Sequence, residues 1–159
     1  MKTNDTFTLK CSTSEGPVQR EKTIIDDDFM EEVFGKILNF EHVKSVYQNA
    51  NITKVAETNI HDSKIIDFVI TITEGKDSIR YYLGNGRKIL LEAFIISHKL
   101  DAPPFLFRGQ SLSSFHQKFG FHDDLDILNI ETSEYTETIK LIFSNGTLVT
   151  FHYETLYLG

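Results

Sequence analysis

Two Asn-Gly pairs, Asn85-Gly86 and Asn145-Gly146, each stand between apolar runs, in SIRYYLGNGRKILLEAF and ETIKLIFSNGTLVTFHY. Asn and Gly tolerate the positive φ that a two-residue hairpin turn demands, and such a pair between apolar runs is the strongest short-range hairpin signal. In the first hairpin this turn places Leu83 opposite Lys88 and Tyr81 opposite Leu90. On the other face it places Tyr82 opposite Ile89 and Arg80 opposite Leu91.

Moved back by the 60 residues that separate Asn145 from Asn85, the second hairpin also brings Ile139, Leu141 and Phe143 onto Ile79, Tyr81 and Leu83. Helical stripes precede both. Phe29, Val33, Ile37 and Phe40 recur at helical spacing after Asp28, an N-cap with Glu31 in capping-box position. Asn39 caps a second helix if the segment breaks there or near Gly35; one continuous rod to Asn49 is the alternative. In the second half Ser111 caps a helix carrying Leu112, Phe115 and Phe119 and stopped by Gly120. Further strands are expected at 52–58, 65–73 and, more weakly, 126–131. Residues 90–97 read as strand or short helix, and 1–22 as a polar segment with an added edge strand at Thr6–Lys10.

The fold class that follows is α+β: tandem helix-plus-antiparallel-three-strand units, 28–97 and 105–157, forming one compact domain over residues 1–159. Neither unit makes much core alone. Coincidence is the competing account, since Asn-Gly hairpins and alternating strands are common. The 13 Phe and 6 Tyr suit cross-strand packing in either case.

Charge and cysteine content narrow the function. A net charge of −7 works against a general phosphate-backbone binder, so direct nucleic-acid binding is disfavoured. The single cysteine, Cys11, allows no intrachain disulfide, and the N-terminus has no apolar leader. No apolar run reaches membrane-span length. A cytoplasmic protein without a membrane partner is expected.

No catalytic constellation is evident, and neither a cofactor nor a metal is expected. His116, His122 and Asp123 carry zinc-ligand chemistry without the spacing that fixes two imidazoles on one helical turn. His61-Asp62 lacks a nucleophile, and Cys11 lacks a base beside it. The acidic groups say more. Asp26, Asp27, Asp28 and Glu31 gather at a helix start, and Asp123, Asp124 and Asp126 form a second cluster. Either is a solvated structural feature or a face for a basic protein. The loop bearing Phe105, Phe107 and Arg108 has hot-spot composition, although its aromatics would equally serve the core.

In composition and layout the chain resembles small acidic immunity proteins of bacterial toxin systems. That resemblance implies a cognate toxin, often a basic nuclease, as the partner; the two acidic clusters and the aromatic loop are the candidate contact residues. The doubled layout from about Asp28 to Leu156 is also similar to the tandem fold of beta-lactamase inhibitory proteins. That family's cysteines are missing here, and no functional residue carries over. A protein-binding or inhibitory module is therefore expected. The alternatives are a small hydrolase or metal enzyme using His116, His122 and Asp123, and a non-catalytic structural or homodimeric protein.

Overall fold

A computed structural model describes residues 6–10, 19–97, 99–100, 117 and 124–156. The strands are β1 (Thr6–Lys10), β2 (Gln19–Ile25), β3 (Asn51–Thr58), β4 (Ile66–Glu74), β5 (Asp77–Gly84), β6 (Arg87–Ile95), β7 (Ile127–Glu131), β8 (Glu137–Ser144) and β9 (Thr147–Thr155). They form one nine-stranded sheet in the order β1-β2-β7-β8-β9-β6-β5-β4-β3. The fold is α+β with a mixed sheet: β2 and β7 pair in parallel and every other neighbouring pair is antiparallel.

Both Asn-Gly turns form. Asn85 and Asn145 take φ of 51°, and Gly86 and Gly146 follow at 69° and 73°. Those are the two positive φ values of a type I′ hairpin turn. Leu83, Tyr82 and Tyr81 pair with Lys88, Ile89 and Leu90 as expected. The register then slips between Arg80 and Tyr81, and Arg80 faces Glu92 rather than Leu91. One extra residue in β6 forms a bulge, which no hydrophobic pattern announces.

The helical segment is broken rather than rod-like. Helix α1 (Asp27–Glu32) runs into a π-helical turn at Val33–Ile37, and α2 (Phe40–Val46) starts afresh. Asn39 caps α2, accepting from the amides of Glu41 and His42 at 3.1 and 3.4 Å. The cap of α1 is Asp26, not Asp28: its carboxylate accepts the Phe29 amide at 3.0 Å. Asp28 is already inside the helix.

Strand β2 occupies residues to which the sequence pattern assigns no element, the end of the polar segment and the three residues after it. Its burial does not alternate cleanly, because Glu21 and Lys22 are both buried, and polar residues there mask a strand. Its partner β7, weak in sequence, is buried from Ile127 to Ile130 and lies in the sheet interior. The expected helix after Ser111 falls outside the described residues apart from Gln117, which is helical.

The helical layer covers one face of the sheet. Phe29, Met30, Val33, Ile37, Leu38, Val43 and Tyr47 share one core cluster with strand residues such as Ile72, Ile79, Tyr81, Ala93, Ile139 and Tyr153. The strands contribute alternate residues, so their other set (Arg80, Glu92, His152 and Lys140 among them) makes a polar face, as antiparallel sheets allow. Adding Cβ at Gly86 or Gly146 meets no atom within 4 Å, whereas at Gly84 it would lie 2.6 Å from Asp67 Oδ1. Gly86→Ala and Gly146→Ala should therefore each cost about 1–2 kcal/mol from backbone strain alone. Gly84→Ala should cost more, because it strikes a buried carboxylate; urea unfolding of the three variants checks this order.

Candidate functional site

The seam between β6 and β9 is short. Glu92, Ala93, Phe94 and Ile95 pair with Glu154, Tyr153, His152 and Phe151, and β9 ends at Thr155. Residues 87–91 of β6 pair only with β5 and run past that end. Where β9 stops and the helical layer turns from Leu38 to Phe40, a cleft of about 420 Å³ opens. Its walls are aromatic: Phe34 and Phe40 from the helical side, Tyr81 and Tyr153 from the sheet. Phe34 meets Tyr153 edge-on with centroids 4.8 Å apart, and Phe40 meets Tyr81 likewise at 5.1 Å.

Three buried or half-buried polar side chains face this space. Tyr81 donates its hydroxyl proton to the Leu38 carbonyl at 2.7 Å, which closes the break between the π-turn and α2. Burial pushes that phenol well above its ordinary range. Tyr153 donates to Glu137 Oε1 at 3.2 Å, with the Leu90 carbonyl at 3.5 Å, and burial together with the Glu137 charge raises its phenol too. Glu137, the first residue of β8, belongs to the same strand face as Ile139, Leu141 and Phe143. Its carboxyl is raised mainly by burial. The Tyr153 hydrogen bond is the main opposing influence, and Glu134 and Asp27 add smaller upward pushes. Among the described residues no cation pairs with Glu137.

The other end of the cleft is neutralised. Lys88 pairs with Glu41 and lies 4.5 Å from the centroid of the Phe40 ring. That ammonium holds the Glu41 carboxyl below its ordinary range.

The acidic residues singled out from sequence divide into two places. Asp27 accepts the Ser133 amide at 2.9 Å, tying α1 to the β7–β8 turn and setting its charge near Glu134 and Glu137. Asp28 and Glu31 are exposed along the same helix, beside a shallow groove they share with Glu32 and Lys36. Asp126 instead accepts the Arg20 amide at 2.9 Å, and Asp124 lies 3.8 Å from the Arg20 guanidinium. These two stand at the opposite end of β7, roughly 17 Å from Asp27 at strand rise. The sheet therefore does not join the two clusters, and Asp126 serves to hold β2 beside β7.

Phe105, Phe107, Arg108, His116, His122 and Asp123 lie outside the described residues. Among the described residues no group of three His, Cys, Asp or Glu side chains could hold a metal ion. His61 lies in the β3–β4 connection, where Asp62 accepts the Lys64 amide at 2.9 Å. No helix of the described residues is long and apolar enough to cross a membrane. The chain matches no protein-family model, no curated protein and no solved structure.

Glu137, Tyr81, Tyr153 and Phe34 did not stand out in the sequence. One signal was present: Glu137 occupies a core-parity position of an alternating strand, where a carboxylate is out of place. Because its folded pKa is raised, the folded state holds the proton more tightly than the unfolded chain. Stability then falls as pH rises through the interval between the two values and stays lowered above it. Glu137→Gln should therefore be slightly more stable than the parent at neutral pH, with the difference vanishing below the ordinary carboxylate range. Thermal unfolding from acid to neutral pH measures it.

Proposed function

We propose that this protein is a binding module that neutralises a basic protein partner, most concretely an immunity protein acting in the cytoplasm against a bacterial toxin. The observation that carries the reading is the placement of Glu137: a half-buried carboxylate in an aromatic cleft, with no paired cation among the described residues and with Asp27 and Glu134 near it. In the free protein that arrangement is electrostatically unfavourable, and an approaching cation relieves it. Exposed Asp28 and Glu31 extend the negative surface along α1 and would steer a basic partner, while the rings provide the desolvated contact that gives affinity.

The tandem-unit layout belongs to this reading. The β4–β6 and β7–β9 meanders are taken as two related units, because each closes on an Asn-Gly turn of the same backbone conformation and they abut at β6 and β9. A rigid continuous sheet of this kind presents one fixed surface, which inhibition by coverage requires.

The direct test is association with the protein encoded beside this gene, measured by stopped-flow mixing across ionic strength. The expected outcome is a stoichiometric complex whose association rate falls with salt, and falls severalfold in an Asp28→Asn, Glu31→Gln double variant, with dissociation little changed. A complex whose formation ignored both salt and these charges would sink the electrostatic reading.

A further inference from the structure

We propose that the cleft is the receptor for one arginine side chain of that basic protein partner, with the guanidinium on Glu137 and the aliphatic stem along Phe34 and Tyr153. This deepens the binding reading and rests on it.

Four features select the occupant. The cleft, about 420 Å³, has room for a long side chain, and Phe34, Phe40, Tyr81 and Tyr153 line it, so an aliphatic stem ending in a cation meets apolar and aromatic walls there. Among the described residues Glu137 uses only one of its oxygens in a side-chain hydrogen bond, the 3.2 Å bond from Tyr153, so the carboxylate retains acceptor capacity. Lys88 does not supply the missing charge. Its ammonium is held by Glu41 over Phe40, at the opposite end of the cleft, where it closes that end to a second cation. Finally, Asp27 and Glu134 both act electrostatically on Glu137, so the end of the cleft that holds the carboxylate has a negative field beyond its own charge.

Arginine fits better than lysine for a physical reason. A guanidinium is planar, less strongly hydrated than an ammonium, and able to present two N–H groups to a carboxylate while its flat face contacts a ring. The half-buried setting favours the group that loses less hydration. Burial also raises the Glu137 carboxyl, and a bound guanidinium would bring it back down, so proton release accompanies binding in weakly acidic solution.

The exposed Tyr135 adds an independent sign of use. It lies two residues before Glu137 with φ of 57°, a left-handed conformation that a bulky residue rarely takes, and the residue is 61% exposed. A strained, exposed aromatic in the turn that leads into Glu137 is suited to contact the partner's surface around the arginine.

The test uses the full chain and three probes: N-acetyl-arginine amide, the lysine analogue, and the citrulline analogue, which keeps the shape of arginine without its charge. Ring resonances of Tyr81 and Tyr153 report occupancy. The arginine probe should shift them saturably. The lysine probe should bind severalfold more weakly, and citrulline should give no saturable shift. Glu137→Gln should weaken the arginine probe about tenfold while unfolding at or above the parent temperature. Equal binding of citrulline and arginine, tighter binding of lysine, undiminished arginine binding by Glu137→Gln, or no saturable response at tens of millimolar would each overturn the assignment. Partner association that stays sensitive to salt and to Asp28 and Glu31, but not to Glu137→Gln, would remove the arginine receptor and leave the binding reading standing. Loss of both dependences would remove the two together.

Discussion

Four residue pairs between β6 and β9 hold the two meanders in one sheet. Within each meander the paired strands are joined by short turns; this seam joins segments about sixty positions apart, as in Ala93 with Tyr153. Both of those residues are buried, so a slip of one position would turn Tyr153 and Phe151 to the polar face and remove them from the core. The seam also fixes where the cleft lies. Because pairing stops at Glu92 while β6 begins at Arg87, the hairpin end of β6 overhangs a space that β9 does not fill.

Two tyrosine–carboxylate pairs on the same side of the sheet show how context sets the role of an acid. Asp77 is buried and accepts from the Tyr47 hydroxyl at 2.8 Å, from the Ile96 and Ser97 amides at 2.8 and 3.0 Å, and from the Ser97 hydroxyl. Its lone pairs are occupied, and its charge is met by donors fixed in place. Among the described residues Glu137 has Tyr153 alone as a side-chain donor, and Glu134 and Asp27 as carboxylate neighbours. The first arrangement stabilises the junction of α2, β5 and the end of β6. The second leaves acceptor capacity at a cost to the free protein, a pattern proteins tend to keep where something binds.

Much of the scaffold was legible because its signals are local. The Asn-Gly turns, the alternation through Ile70, Ile72, Ile79 and Tyr81, and the Asn39 cap each depend on residues within a few positions of one another. What escaped depended on distant partners. Strand β2 is polar enough to give no strand signal and becomes a strand by lying between β1 and β7, where Asn129 donates to Glu21 at 2.6 Å. The bulge in β6 is the irregularity that places Arg80 opposite Glu92. Asp28 looked the better cap, yet Asp26 takes that role because its backbone amide is already bonded to the Glu131 carbonyl at the end of β7, which sets the point where the helix starts.

The sequence by itself determined the α+β class, the two type I′ turns and the apolar faces, because backbone preference and side-chain period act over short stretches of chain. It also determined the acidic character. The tertiary structure alone decided that the strands make one continuous mixed sheet and that α1's acids join the β7–β8 turn while Asp126 is drawn to Arg20. It likewise decided that Glu137 shares a cleft with four rings and, among the described residues, with no cation paired to it. Those outcomes depend on which distant strands become neighbours and how far their ends overlap, and the free energy that settles this comes from packing across the whole sheet.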